Sequence, residues 1–383
     1  MQKDKVASKV DNLIRGIKNG EDKELGRAIS LLENNEQLGQ QILDELYGSF
    51  SPAYLIGITG PPGSGKSSLI DSLLEGWLKE DKKIAVIAVD PSSRITGGAF
   101  LGDRIRMGTI SSHDGVFIRS MATRGSTGGL NPAVYDTVLL LSAAGFDMIV
   151  IETVGVGQTE IDIVSLADTT VVVSVPEAGD EIQIFKSDLM EVGDIFVLNK
   201  SDLPGAAKME IMIKQLFNLK RNSSPGNKVS LDQAEDERWE NILDSNKSTE
   251  ENDSSEDCFD DRTKEYNKEQ NKEYNKRADK NQNLCWEPNL VKTSTYNNLG
   301  IEELRKEIEA HRRYLEEADL LAEKHNGVIE KQLLYLLEDK VYSKFIEKLK
   351  KSSQYKELLS QIIAGKISPH QAAVELLENK LNI

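Results

Sequence analysis

Residues 60–67 read Gly60-Pro61-Pro62-Gly63-Ser64-Gly65-Lys66-Ser67, with glycines, a lysine and a hydroxyl at the spacing of a phosphate-binding loop. The apolar run Tyr54 to Thr59 precedes it, and a segment of helical period from Ser68 to Leu78 follows. A strand that turns into a helix over small residues aims its backbone N–H groups, and the positive end of the helix, at an anion. Gly60 to Gly65 and Ser68 would then surround a nucleotide's phosphates, Lys66 would reach the β- and γ-phosphates, and the Ser67 hydroxyl would ligate Mg²⁺.

The remaining order of elements fits such a loop. Apolar, β-branched runs at Ile84 to Val89, Val116 to Ile118, Met148 to Ile151, Thr169 to Val175 and Ile195 to Leu198 alternate with helical stretches at Pro132 to Ala144, Ile182 to Val192 and Ala206 to Leu219. This pattern predicts an α/β P-loop NTPase with a mostly parallel sheet and helices on both faces. Apolar residues at helical spacing between Val6 and Leu46, broken near Gly20, predict two or more N-terminal helices in a segment 1–50. The nucleotide domain is expected over 51–220 and 286–315, resuming with a short strand at Leu290 to Ser294. A helical extension covers 316–383, with a helix start at Ser368-Pro369. Its amphipathic helices suggest a dimerisation arm, hence a homodimer.

Between these parts, residues 221–285 are dominated by Asn, Ser, Asp, Glu and Lys, and Lys-Glu-Tyr-Asn-Lys occurs at both Lys264 to Lys268 and Lys272 to Lys276. So little apolar area cannot offset the entropy of ordering, which predicts a disordered or loosely helical insertion on the approach to the guanine-side loop.

The net charge of −16 argues against a nucleic-acid surface. No apolar run of membrane-spanning length and no signal core occurs, so a cytoplasmic protein without membrane contact is expected. Cys258 and Cys285 form no metal-binding or redox pattern.

Two further motifs refine the ligand. Asn199-Lys200-Ser201-Asp202 follows the strand Ile195 to Leu198, where an Asn-Lys-x-Asp guanine box belongs. The Asp202 carboxylate can accept from guanine N1–H and its 2-amino group, which adenine does not offer, so GTP is expected over ATP. Ser294, with Thr295 and Tyr296, would supply the last guanine-side loop. The run Met148 to Gly155 ends a buried strand in Glu152, where such folds usually carry Asp. Glu152 can hold Mg²⁺ or orient the attacking water, and the Gly155 N–H can meet the γ-phosphate. Asp90 ends the strand beside it, so Ser67, Asp90 and Glu152 should converge on one metal ion; Asp90 also reads as a cap before Pro91.

These residues, with Val89 to Ser93, Gly97 to Arg104 and Phe117 to Gly125, closely resemble the MeaB/ArgK/MMAA family of P-loop GTPases. The resemblance is strongest from Ile56 to Ala206, resumes from Trp286 to Leu304, and is looser in the flanking helices. It implies a GTPase chaperone that gates adenosylcobalamin loading and protects or reactivates a cobalamin-dependent acyl-CoA mutase, chiefly methylmalonyl-CoA mutase. It also implies a catalytic set of Lys66, Asp103, Glu152 and Lys186, with Asp103 in switch I and Pro176 to Lys186 as a mobile switch III. Ile184 and Asp188 depart from the smaller residues of many members, and the insertion before Trp286 is not a usual family feature. Asp103 and Lys186 also read as solvated helix-face charges. Arg104, Arg106, Arg119 and Arg124 are candidate stabilisers of the transferring phosphoryl group.

Three other functions compete, of which a non-enzymatic scaffold built on the helical extensions is opposed by the intact Lys66 and Ser67 of the phosphate loop. A nickel-type metallochaperone GTPase would carry clustered His or Cys ligands, and His113, His311, His325 and His370 are scattered. A nucleotide-dependent kinase linked to amino-acid transport is opposed by the guanine box.

Overall fold

The computed structural model describes residues 2–34, 37–48, 50–90, 113–122, 132–153, 166–176, 193–222 and 286–381. In chain order the elements are α1 (Gln2–Lys18), α2 (Asp22–Glu33), α3 (Gln37–Leu46), β1 (Tyr54–Thr59), α4 (Lys66–Leu78), β2 (Ile84–Asp90), β3 (Val116–Ala122) and α5 (Pro132–Ala143). There follow β4 (Met148–Thr153), β5 (Thr169–Ser174), β6 (Ile195–Leu198), α6 (Ala206–Asn222), β7 (Asn289–Lys292), α7 (Ile301–Glu317), α8 (Leu320–Lys351), α9 (Ser353–Ile363) and α10 (Pro369–Leu381). Strand β3 runs four residues beyond the expected Ile118, and α4 begins at Lys66, inside the phosphate-loop motif. The helix expected at Ile182 to Val192 and the insertion from residue 223 to 285 lie outside the described residues.

The chain divides into two compact units. The larger, Pro52–Gly129 with Gly145–Leu320, is built on a seven-stranded sheet in the order β3-β2-β4-β1-β5-β6-β7. Every pairing in it is parallel. Strands β1, β4, β5 and β6 are buried at every position, as continuous apolar runs must be when both faces of a parallel sheet are covered. On one face, Val172, Phe196 and Leu198 pack against Met209 and Ile213 of α6. Thr169, of opposite parity to Val172 along β5, bonds His311 of α7, which places α7 on the other face.

Helices α7 and α4 pack together on that second face through Arg305, which pairs with Glu80 just past the end of α4 and with Glu302 and Glu309 of its own helix. Gly76 lies beneath this arginine: a Cβ there would stand 2.9 Å from Arg305 Cδ, so a larger residue would push the arginine side chain aside. At the strand starts, the Tyr54 hydroxyl meets Thr169, whose Oγ1 meets His311 Nδ1 at 2.7 Å, while Arg312 lies 4.9 Å over the Tyr54 ring. Burial, chiefly, holds the Tyr54 hydroxyl protonated well above the usual range.

Trp286, where the described chain resumes after the insertion, packs its ring 4.7 Å from His311 and donates Nε1–H to the carbonyl of Asp194, the residue before β6. The insertion therefore returns at the strand-start edge. From there β7 runs along β6 to the guanine-side loop that follows it.

The smaller unit, Met1–Ser51 with Leu130–Ala144 and Leu321–Ile383, is helical. Leu25, Ile29 and Leu32 of α2 and Ile42, Leu43 and Leu46 of α3 are its buried stripes. Asp136 of α5 is buried and accepts from Gln40 of α3 at 3.1 Å and Gln332 of α8 at 3.0 Å; burial raises its carboxyl pKa, and the two amides oppose that. Leu349, Leu358, Ala372 and Leu376 form a separate cluster at the helical tip. Ile329, Leu333, Leu337 and Val341 leave an exposed apolar stripe along α8.

Candidate functional site

All seven strands point the same way, so the loops that follow them gather at one edge. From β1 the chain first builds β2, β3 and β4 to one side and then β5, β6 and β7 to the other. The loop after β1 thus sits at the switch point, where a parallel sheet opens its ligand crevice. That loop is Gly60 to Gly65.

Gly60 has φ +141°, and a Cβ on it would lie 2.1 Å from the Val173 carbonyl oxygen, so only glycine lets β1 leave the sheet beside β5. Pro62, Gly63 and Ser68 are exposed, whereas Ser64 and Lys66 are buried. Lys66 Nζ donates to the carbonyls of Gly60 at 2.7 Å and Pro61 at 3.0 Å, so the loop is wrapped around its own ammonium group. The Ser67 hydroxyl donates to Glu152 Oε1 at 2.8 Å. Glu152 is buried at the end of β4, beside Ile58 of β1 and Ala88 of β2, two residues short of Asp90. A hydroxyl at the start of α4 and a carboxylate at the end of β4, brought together beside a phosphate-binding loop, are hard oxygen donors of the kind Mg²⁺ takes.

The guanine box stands across the loop from this pair. Asn199 is fully buried, donates Nδ2–H to the Ser64 carbonyl at 2.8 Å, and accepts from the Thr293 hydroxyl at 3.1 Å. Gly65 makes room for the amide, since a Cβ there would stand 2.5 Å from Asn199 Nδ2. Lys200 adopts a left-handed φ of +53°, which turns the chain so that Asp202 is exposed at the edge. The Ser201 N–H donates to the Thr293 carbonyl at 2.9 Å, binding the box to the segment after β7. There Ser294 is buried and pairs with Leu299 in both directions, closing a loop that carries Thr295 and the almost fully exposed Tyr296.

The geometry thus brings together Gly60 to Ser68, Glu152, Asn199, Lys200, Asp202 and Ser294 at one edge. Asp90 closes β2 at the same edge. Asp103, Gly155 and Lys186 lie outside the described residues, as do Arg104, Arg106, Arg124 and all of switch III beyond Pro176. Arg119 sits mid-strand on β3, paired in register with Ile87, three rows before the ligand edge. Thr293 and Thr153 were not singled out by motif. Their only signal is a hydroxyl at or just after a strand end, and its meaning depends on which strands lie side by side.

Among the described residues, no group of three or more His, Cys, Asp or Glu side chains has metal-binding geometry, and no helix is long and apolar enough to cross a membrane.

Comparison with known proteins supplies the lineage. Residues 25–350 match the model of the family described as methylmalonyl Co-A mutase-associated GTPase MeaB. A putative GTPase of Pyrococcus abyssi is 38% identical over 369 residues, covering 96% of each chain. A methylmalonic aciduria type A homolog of Caenorhabditis briggsae, described as mitochondrial, is 37% identical over 217 residues, covering 52% of this chain and 53% of that one. The crystal structure of an LAO/AO transport system kinase superposes with a TM-score of 0.56 at 21% identity, covering 97% of both chains, a likeness of fold. With a phosphate loop and a guanine box on one parallel sheet and a family match across most of its length, the chain belongs to the methylmalonyl Co-A mutase-associated GTPases and is a GTP-binding P-loop GTPase.

Proposed function

We propose that this GTPase is the hydrolysis-driven chaperone of a cobalamin-dependent acyl-CoA mutase, such as methylmalonyl-CoA mutase. In this reading it gates adenosylcobalamin loading and protects or reactivates the mutase in the cytoplasm. The observation that carries the reading is the match to a mutase-associated GTPase family over residues 25–350, in a chain whose Asn199 ties guanine box to phosphate loop.

Lys66 releases the Gly60 and Pro61 carbonyls to meet the β- and γ-phosphates, and the Gly60 to Ser68 backbone cradles the rest. Asp202 reads the guanine edge, while Asn199, Lys200, Ser294, Thr295 and Tyr296 shape the base pocket. Ser67, Asp90 and Glu152 would hold Mg²⁺, which neutralises charge on the β- and γ-phosphate oxygens when bound. Asp103 and Lys186 would complete the catalytic set, and the Gly155 N–H would meet the γ-phosphate. Lys186, in switch III, would couple nucleotide state to the mutase. The arm 316–383 joins two copies through the exposed stripe of α8.

A pulldown from native extract with GTP, GDP or no nucleotide tests the central claim. A cobalamin-dependent mutase should co-purify in a nucleotide-dependent manner, and its absence under all three conditions would sink the proposal. Single-turnover hydrolysis by Lys186→Ala, with and without the mutase, tests the coupling: normal intrinsic turnover with lost stimulation is expected.

A further inference from the structure

The pairing register between β1 and β4 runs from Tyr54–Met148 to Ile58–Glu152 and ends there. In the next row, Thr59 and Thr153 are both buried, and the Thr153 hydroxyl donates to the Thr59 hydroxyl at 3.1 Å. On its other side Thr153 is in register with Val89. Two strands end at this row, β1 at Thr59 ahead of the phosphate loop and β4 at Thr153, while β2 runs one residue further to Asp90, paired with Ala122. A buried hydroxyl costs free energy unless it is bonded, and valine has the same shape and a high strand preference. The two threonines therefore do something that strand formation alone does not require.

We propose that the Thr59–Thr153 pair is a positioning device that holds Glu152 against Ser67 when a divalent cation enters between them. The inference rests on the reading of Ser67 and Glu152 as metal ligands. Without metal, the Ser67–Glu152 hydrogen bond itself ties the first turn of α4 to the end of β4. An ion that took both Ser67 Oγ and Glu152 Oε1 as ligands would claim the carboxylate lone pair that accepts this bond, so the tie would weaken as the ion enters. The threonine pair lies one row further along and is not among the ligands proposed for the ion. It survives the exchange and keeps the carboxylate and the serine at their spacing, which lowers the ordering cost of coordination.

The test uses the full chain as its GDP complex and Mn²⁺ as the probe, with affinity read by electron paramagnetic resonance. Thr153→Val should weaken Mn²⁺ binding about five-fold, the loss of one hydrogen bond's worth of positioning. GDP affinity in EDTA should stay unchanged, and Thr153→Ser should restore Mn²⁺ binding. Thr59→Val should reproduce the loss and carries the test if Thr153→Val fails to fold, and the double variant should lose no more than either single one. Unchanged Mn²⁺ affinity in both valine variants, an equal loss of metal-free GDP binding, or no rescue by serine would overturn the proposal. A wild-type GDP complex that retains no Mn²⁺ would instead defeat the metal-site reading beneath it, a distinct outcome visible before any variant is compared.

Discussion

Asn199 reaches from the end of β6 to the carbonyl of Ser64 at 2.8 Å, so the guanine box and the phosphate loop are one hydrogen-bonded unit. Its amide oxygen is fixed in turn by the Thr293 hydroxyl. Three loops from distant parts of the sequence thus share one side chain, and the turn from Asn199 to Asp202 cannot shift without moving the phosphate loop.

Asn199→Ala should leave the Ser64 carbonyl and the Thr293 hydroxyl without this partner in a buried site. We expect destabilisation of about 1–3 kcal/mol and a GTP affinity at least about ten-fold weaker. Chemical denaturation together with fluorescent-nucleotide titration measures both, and wild-type values for either would refute the bridging role.

Asp202→Asn should shift preference from guanine towards xanthine nucleotides, because the amide can donate where xanthine accepts. Asp202 is exposed at the edge of the box, so the substitution should cost no stability. Competition binding of GTP, XTP and ATP decides it; a variant that still prefers GTP removes Asp202 from base reading.

Gly60→Ala should fail to bind nucleotide and should unfold at lower temperature, since its Cβ meets the Val173 carbonyl at 2.1 Å and neither backbone can retreat from a central strand. Gly63→Ala is the control, with φ +76° and open space around it. It should cost only left-handed strain, about 1–2 kcal/mol. Equal melting temperatures for the two variants would contradict the clash.

Asp71 of α4 is half-buried with Oδ1 unpartnered among the described residues, and its carboxyl is pushed up to about 6 by burial and then by Glu75. A raised acid binds its proton more tightly in the folded state than in the unfolded state. Stability from this group therefore falls as pH rises from about 4 to about 6 and is flat above that. Asp71→Asn should gain on wild type across that window, by about 1 kcal/mol after allowance for solvent screening. Denaturation at pH 4, 5, 6 and 7 tests it, and a pH-independent difference would assign the gain to another cause.

Deleting Asn222 to Gln282 with a short Gly/Ser bridge should leave GTP affinity and hydrolysis within about three-fold of wild type, because surface-loop length costs little. The return point supports this: Trp286 is anchored to Asp194 and His311 at the strand starts, the edge opposite the guanine box. Loss of nucleotide binding on deletion would show the insertion to be part of the site.

Much of this site is readable in one dimension because its chemistry is local. Gly60 to Ser67 and Asn199 to Asp202 each follow an apolar run, and the strand-turn register delivers their side chains without help from elsewhere. Glu152 was readable for the same reason, as a charge closing a buried strand. Thr59 and Thr153 were not, since their partnership exists only because β4 inserts between β1 and β2, against chain order. Thr293 was hidden likewise, its target Asn199 lying beyond the whole insertion. The grouping of α5 with α1, α2 and α3 is equally non-local: its mostly apolar sequence names no partner, and Asp136 acquires its meaning only from Gln40 and Gln332.

The dependence of Asn199 on Thr293 also sets an order of events during synthesis. Strands β1 to β6 and the phosphate loop leave the ribosome first, but the hydroxyl that locks the guanine box is encoded after residues 223–285. Synthesis at roughly 5–20 residues per second delays its arrival by several seconds. A nascent chain therefore holds the phosphate loop before Thr293 is present to fix Asn199, and the turn from Asn199 to Asp202 gains that anchor only when β7 joins the sheet's far edge.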